Sequence, residues 1–207
     1  LPGFSAGKCI ISCPNPSLCS ALNKHVQSLI TSAGSFDQSD IILGAHSLGG
    51  TCANYLIQAY PDTPEYHNAL ILSGGYVDEI GDYSLENYPS KTLTIGAELD
   101  GGAARPGKLA SWVYQSERIN NFQQSAVIII PGIDHSDFCP GFQVPGDIYP
   151  SDVSQDSAVA VVSSVTAAWL KLSIFDTATP LDKAFLKHSR DYTTSLLEPY
   201  FAALDYE

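Results

Sequence analysis

The 207-residue chain predicts an α/β fold, a parallel sheet with helices on both faces. Three observations predict it. Four short apolar runs are separated along the chain: Ile41-Ile42-Leu43, Ala69-Leu70-Ile71-Leu72, Thr92-Leu93-Thr94-Ile95 and Ala126-Val127-Ile128-Ile129-Ile130. Segments with helical spacing lie between and after them. Hydrophobic residues make up 44% and charged residues 15%, enough apolar surface for one domain to bury a real core.

Taken in order, residues 1–16 are rich in Gly and Pro, with one apolar patch at Cys9-Ile10-Ile11. Helical spacing of Leu18, Leu22, Val26, Leu29 and Ile30 predicts a helix over 17–33, with Ser17 as its cap and Gly34 just past its end. The first strand runs into Gly44-Ala45-His46-Ser47-Leu48-Gly49-Gly50, and a helix follows over 51–60, ending before Pro61. The second strand stops at Ser73-Gly74-Gly75 and the third at Gly96. A helix is predicted around 109–119, and the fourth strand ends at Pro131-Gly132. A long apolar helix covers 154–175. Leu181, Phe185, Leu186, Leu196, Leu197 and Phe201 mark a further amphipathic helix. The expected organisation is one domain over 1–175 and a C-terminal helical extension over 176–207, whose role as edge cover, lid or partner-binding element stays open.

Charge and cysteines narrow the function classes. The net charge of −12 argues against nucleic acid as a partner, because phosphate binding needs a surplus of Lys and Arg. No apolar run reaches the roughly 18 residues that span a bilayer, so a transmembrane protein is not expected. Three of the five cysteines, Cys9, Cys13 and Cys19, fall in a Pro-rich stretch without CxxC spacing. A Cys13–Cys19 disulfide is expected there in preference to a zinc cluster, which favours a secreted or lumenal location. Cys52, in an apolar helical pattern, is expected to be a buried thiol. The chain opens Leu1-Pro2-Gly3, holds no Met and shows no signal peptide. The expectation is a processed product or a fragment.

In parallel sheets, chemistry collects in the loops beyond the carboxyl ends of the strands. Ser47 follows the first strand, inside a tight strand-to-helix turn with small residues two positions to either side, Ala45 and Gly49. Such a turn exposes a serine oxygen and aims a helix N-terminus at it, with the N–H of Leu48 as one oxyanion donor. The loop after the third strand, Gly96-Ala97-Glu98-Leu99-Asp100, offers an acid. Asp100 is the choice and Glu98 the competitor. His135, five residues past the fourth strand, is the candidate general base. Asp134 and Asp137 flank it, but no second His stands at ligand spacing, so no metal site is expected. His46 is placed as a pocket residue beside the nucleophile. Tyr76, Phe138, Phe142 and Tyr149 stand in loops suited to lining an acyl or alcohol pocket.

Together these segments resemble the α/β-hydrolase superfamily, nearest its chlorophyllase, dienelactone hydrolase and polyester-hydrolase-like branches. The order Ser47, Asp100, His135 is the superfamily's order, although Ala45 replaces the usual first Gly of Gly-x-Ser-x-Gly. The resemblance covers about residues 17–175. It implies a three-layer sandwich with a mostly parallel sheet, lacking the N-terminal strands. It also implies a serine esterase or lipase-type enzyme with Ser47 as nucleophile, His135 as base and Asp100 as acid. No cofactor is called for, and the partner is a small-molecule or lipid-like ester. Only 46 residues precede Ser47, fewer than the superfamily normally uses. Leu1-Pro2-Gly3-Phe4 is similar to its oxyanion loop, which would make the N–H of Phe4 the second donor. The competing expectation is a separate N-terminal fragment of the same precursor as a partner. The alternative function is a non-catalytic or weakly catalytic ligand-, pigment- or lipid-binding protein on the same fold.

Overall fold

The computed structural model describes residues 16–32, 41–60, 62–63, 66, 68–75, 88–102, 104–116, 124–139, 141, 147 and 149–204. Contacts gather the chain into two compact units, Leu1–Phe36 and Asp37–Glu207. The first contributes helix α1 (Pro16–Ser32). It starts one residue earlier than its spacing predicts, because Pro suits the first helical position. Ser17 therefore lies inside the first turn and does not occupy the predicted cap position. Cys9 and Cys13 lie outside the described residues, and with them the predicted disulfide. Cys52 and Cys139 are part-buried thiols.

The second unit holds four strands and four α-helices among its described residues: β1 (Ile42–His46), α2 (Leu48–Ala59), β2 (Ala69–Ser73), β3 (Lys91–Ala97), α3 (Pro106–Ser116), β4 (Ser125–Ile130), α4 (Gln155–Ser173) and α5 (Pro180–Leu204). The strands form one parallel sheet in the order β1-β2-β3-β4, so this is an α/β fold. The register places Gly44, Ile71, Leu93 and Ala126 side by side, with Ile42, Ala69, Ile95, Ile128, Ala97 and Ile130 on the same face. α4 covers that face with Ala158, Val165, Ala168 and the fully buried Trp169. The opposite face, carrying Leu72, Gly96 and Ile129, meets α2 through Gly50 and α3 through Leu109. Helices thus lie on both faces, which is why the strands read as apolar runs in place of strict alternation.

Two boundaries depart from the sequence expectation for packing reasons. β3 continues through Gly96, where a turn was predicted. A side chain there would run into Leu109 of α3 and Ile129 of β4, so this glycine marks a close approach of helix and sheet. α2 begins at Leu48, three residues before its predicted start, because Gly49 and Gly50 are helical. Gly50 is buried, and a Cβ there would sit 3.2 Å from Leu72. Tertiary packing overrides the low helix propensity of the glycine pair.

α5 makes up most of the C-terminal segment. It packs on β4, α3 and α4. The outward N–H of Ile129, on edge strand β4, donates to Thr193 Oγ1 at 2.8 Å, and Thr193 Oγ1 donates in turn to Ser189 O. Thr193 is fully buried, so this hydroxyl replaces the next strand. At the start of α5, Thr179 and Asp182 exchange bonds: the Asp182 N–H donates to Thr179 Oγ1, and the Thr179 N–H and hydroxyl donate to Asp182 Oδ2. This capping box, with Lys171 on the other carboxylate oxygen, holds the Asp182 pKa down to about 2. Thr193→Val keeps the volume and removes the acceptor for a buried N–H. We expect it to destabilise the fold by about 1–3 kcal/mol, read as a lower urea midpoint at unchanged m-value.

Candidate functional site

Four loops at the carboxyl ends of the strands converge. Ser47 follows β1, Gly74-Gly75 follow β2, Asp100 follows β3 and His135 follows β4. Ser47 has φ 52° and ψ −124°, a backbone conformation that side-chain-bearing residues rarely adopt. Such strain costs on the order of 1–3 kcal/mol and needs surrounding structure to hold it. The Ser47 N–H donates to Ser73 O at 3.0 Å, and Ser47 O accepts from Gly50 N–H at 2.8 Å. Gly75 packs against the same peptide, so closely that a Cβ there would sit 3.3 Å from Ser47 O. The turn presents Ser47 at the N-terminus of α2, where the first amide groups lack intrahelical partners and carry partial positive charge. Leu48, 38% exposed, is the first of these residues.

His135 Nε2 lies 2.8 Å from Ser47 Oγ, and His135 Nδ1 lies 2.6 Å from Asp100 Oδ2. A carboxylate only accepts, so the ring proton sits on Nδ1 and Nε2 is left to accept the Ser47 hydroxyl proton. Asp100 is 2% exposed and His135 4%. The other Asp100 oxygen accepts the Gly102 N–H at 2.6 Å, which fixes the carboxylate plane. The bond to Asp100 raises the His135 pKa above its usual 6.5. Burial opposes it, and the charges of Asp100, Asp147 and Asp134 add to it.

The turn carrying His135 is stapled by carboxylates. Asp134 N–H donates to Asp137 Oδ2 and Asp137 N–H to Asp134 Oδ1, both at 3.0 Å. Asp147 Oδ2 accepts the N–H and the hydroxyl of Ser136, each at 2.9 Å. Burial, then the charges of Asp147 and Asp137, push the Asp134 carboxyl up.

His46 stands beside this centre. Its ring centroid is 4.9 Å from that of His135 and 5.6 Å from that of Phe138. Nδ1 donates to Ser73 O at 2.8 Å. Burial lowers its pKa below 6.5; the Ser73 bond opposes this, the charge of His135 lowers it further and that of Asp100 raises it. Both imidazoles rest on Gly74, at φ 61°, where a Cβ would lie 3.0 Å from the His135 ring and 3.2 Å from His46.

Of the residues singled out in the sequence, Ser47, Asp100 and His135 are brought into one chain of hydrogen bonds, with His46 and Phe138 beside them. Glu98, the competing acid, faces away from His135. Its Oε2 accepts the Gly132 N–H at 2.9 Å. Tyr149 is 52% exposed. Phe4, Tyr76 and Phe142 lie outside the described residues. Sequence reasoning missed Gly74, Gly75 and Asp147 as parts of the site. The first two were visible only as a strand stop, and Asp147 had no signal. No family model, curated protein or solved structure matches the chain.

Proposed function

We propose that the chain is a serine hydrolase of the α/β-hydrolase type that cleaves a carboxylic ester or related acyl bond through an acyl-enzyme. The observation that carries this reading is the unbroken relay from Ser47 Oγ to His135 Nε2 and from His135 Nδ1 to Asp100, at 2.8 and 2.6 Å. His135 Nε2 takes the Ser47 proton as Oγ bonds to the substrate carbonyl carbon, whose electron pair moves onto oxygen. The Leu48 N–H, at the head of α2, is one donor to that oxyanion. Collapse breaks the bond to the leaving alcohol, which receives the proton from Nε2. Water then attacks the acyl-enzyme, with His135 again as base, and Ser47 regains its proton. Asp100 holds the imidazole in the Nδ1–H tautomer and stabilises the imidazolium. Phe138, His46 and Leu48 give the reaction centre apolar and aromatic neighbours, which favours a neutral ester over an anionic one.

The test is active-site labelling. A fluorophosphonate probe should form a covalent adduct that peptide mass mapping locates at Ser47, and short p-nitrophenyl esters should be turned over. Adduct formation elsewhere, or none, sinks the assignment. Labelling without turnover of any ester would favour a ligand-binding protein on this scaffold.

A further inference from the structure

The loops that carry Asp100 and His135 are laced together. Glu98 N–H donates to Ile130 O at 3.1 Å, and Leu99 N–H donates to Ile133 O at 3.0 Å. Between these two bonds lies the Pro131-Gly132 turn, with Gly132 at φ 69°. Its peptide groups are also occupied. Gly132 O accepts the Asp152 N–H at 2.8 Å and the Ser151 hydroxyl at 3.0 Å, and Gly132 N–H goes to Glu98 Oε2. Glu98 therefore grips the turn twice, by its backbone N–H on one side and its carboxylate on the other.

The carboxylate also acts on a side chain of α5. Burial first, and then the neighbouring Glu98 carboxylate, pushes the pKa of the Tyr192 phenol of α5 up to about 12. Tyr192 lies one residue before Thr193, which caps the β4 edge. The same turn of α5 thus reaches both β4 and the clasp on its exit loop.

Geometry explains why this matters for chemistry. Asp100 lies two residues after Glu98, and His135 three residues after Gly132. The 2.6 Å bond between them tolerates little relative movement of their loops. We infer that Glu98 is a positioning residue for the Asp100–His135 pair, clasping the turn that leads to His135 while Tyr192 of α5 holds the clasp in place. This inference rests on the serine hydrolase reading for its effect on turnover, and on geometry alone for its effect on the pair.

The experiment compares the full-length wild type with Glu98→Ala, Glu98→Gln and Tyr192→Phe. Three quantities are read: the far-downfield proton resonance of His135 Nδ1–H in substrate-free protein, kcat and KM on a short p-nitrophenyl ester, and Tm. Glu98→Ala should broaden or shift the resonance and lower kcat by up to about a hundredfold at nearly constant KM. Glu98→Gln keeps an acceptor for the Gly132 N–H and should restore both readouts toward wild type. Tyr192→Phe should fall between. A lower Tm with resonance and kcat unchanged in Glu98→Ala would show a plain structural brace and overturn the inference. So would Glu98→Gln losing as much as Glu98→Ala at wild-type Tm, or Tyr192→Phe leaving all three quantities unmoved. Should Glu98→Ala fail to fold, the Gln and Phe variants decide the matter by the same readings. If the wild type turns over no ester, the resonance still tests the clasp, so failure of the hydrolase reading and failure of the clasp are separable.

Discussion

On the proposed serine hydrolase reading, Ser47→Ala is expected to lower ester turnover by on the order of 10⁶-fold, equal to about 8 kcal/mol of transition-state stabilisation. The size follows from what the hydroxyl does. In that reading its oxygen bonds the acyl carbon, and without it the site would only polarise a carbonyl and orient water. A residual rate above the uncatalysed one is expected from the α2 N-terminus and from binding. Covalent labelling by the fluorophosphonate should vanish, and labelling that persists in the variant would place the nucleophile elsewhere. The backbone supplies an internal control. Ala at φ 52° carries the same strain as Ser, whereas Gly does not. Ser47→Gly should therefore be more stable than Ser47→Ala by about 1 kcal/mol while equally inactive, read by urea unfolding. Equal stability of the two variants would mean that the turn holds no strain.

On the same reading Asp100→Asn is expected to lower kcat by about 10⁴-fold, the effect of an amide that disturbs the tautomer of a catalytic imidazole and withdraws the charge that stabilises its protonated form. The side chain is almost fully buried and bonded to both His135 and the Gly102 N–H, so the isosteric amide should leave the fold intact. The pH profile adds a second check. In the wild type, turnover should be lost as pH falls through the His135 pKa, which stands above 6.5, because protonated His135 cannot take the Ser47 proton. The bond to Asp100 is the first cause of that elevation, so the acid limb should move to lower pH in Asp100→Asn. Stability runs the other way. A histidine whose folded pKa is raised contributes stability that is fully present below 6.5 and is lost as pH rises through the folded value. The variant should lose stability most at acid pH. An acid limb that stays in place would remove Asp100 as the controlling partner.

Much of this site was legible because its three principal residues each follow an apolar run, and in parallel strands such runs announce buried β-structure. Ala45 and Gly49 marked the turn at Ser47. What could not be read was anything set by approach between distant segments. Gly96 looks like a strand terminator until Leu109 is placed over it. The Gly49-Gly50 pair looks like loop until Leu72 lies beneath the first turn of α2. Asp100 and Glu98 are both acids on one loop, and only the location of the Gly132 N–H decides which faces His135. The amphipathic pattern of α5 announced a packed helix without naming the surface it packs on. That surface depended on a single inward hydroxyl, Thr193, which hydropathy does not distinguish from its neighbour Thr194.

The Thr193 cap closes one edge of the sheet among the described residues. A strand edge is a template for another chain, and β4 presents its outer amide at Ile129 to a helix of the same molecule. Chains truncated before α5 would present Ile128, Ile129 and Ile130 on a bare edge, the kind of β-branched, uncharged segment that seeds intermolecular pairing. The last helix thus serves solubility as well as architecture, and its loss should appear first as insoluble protein.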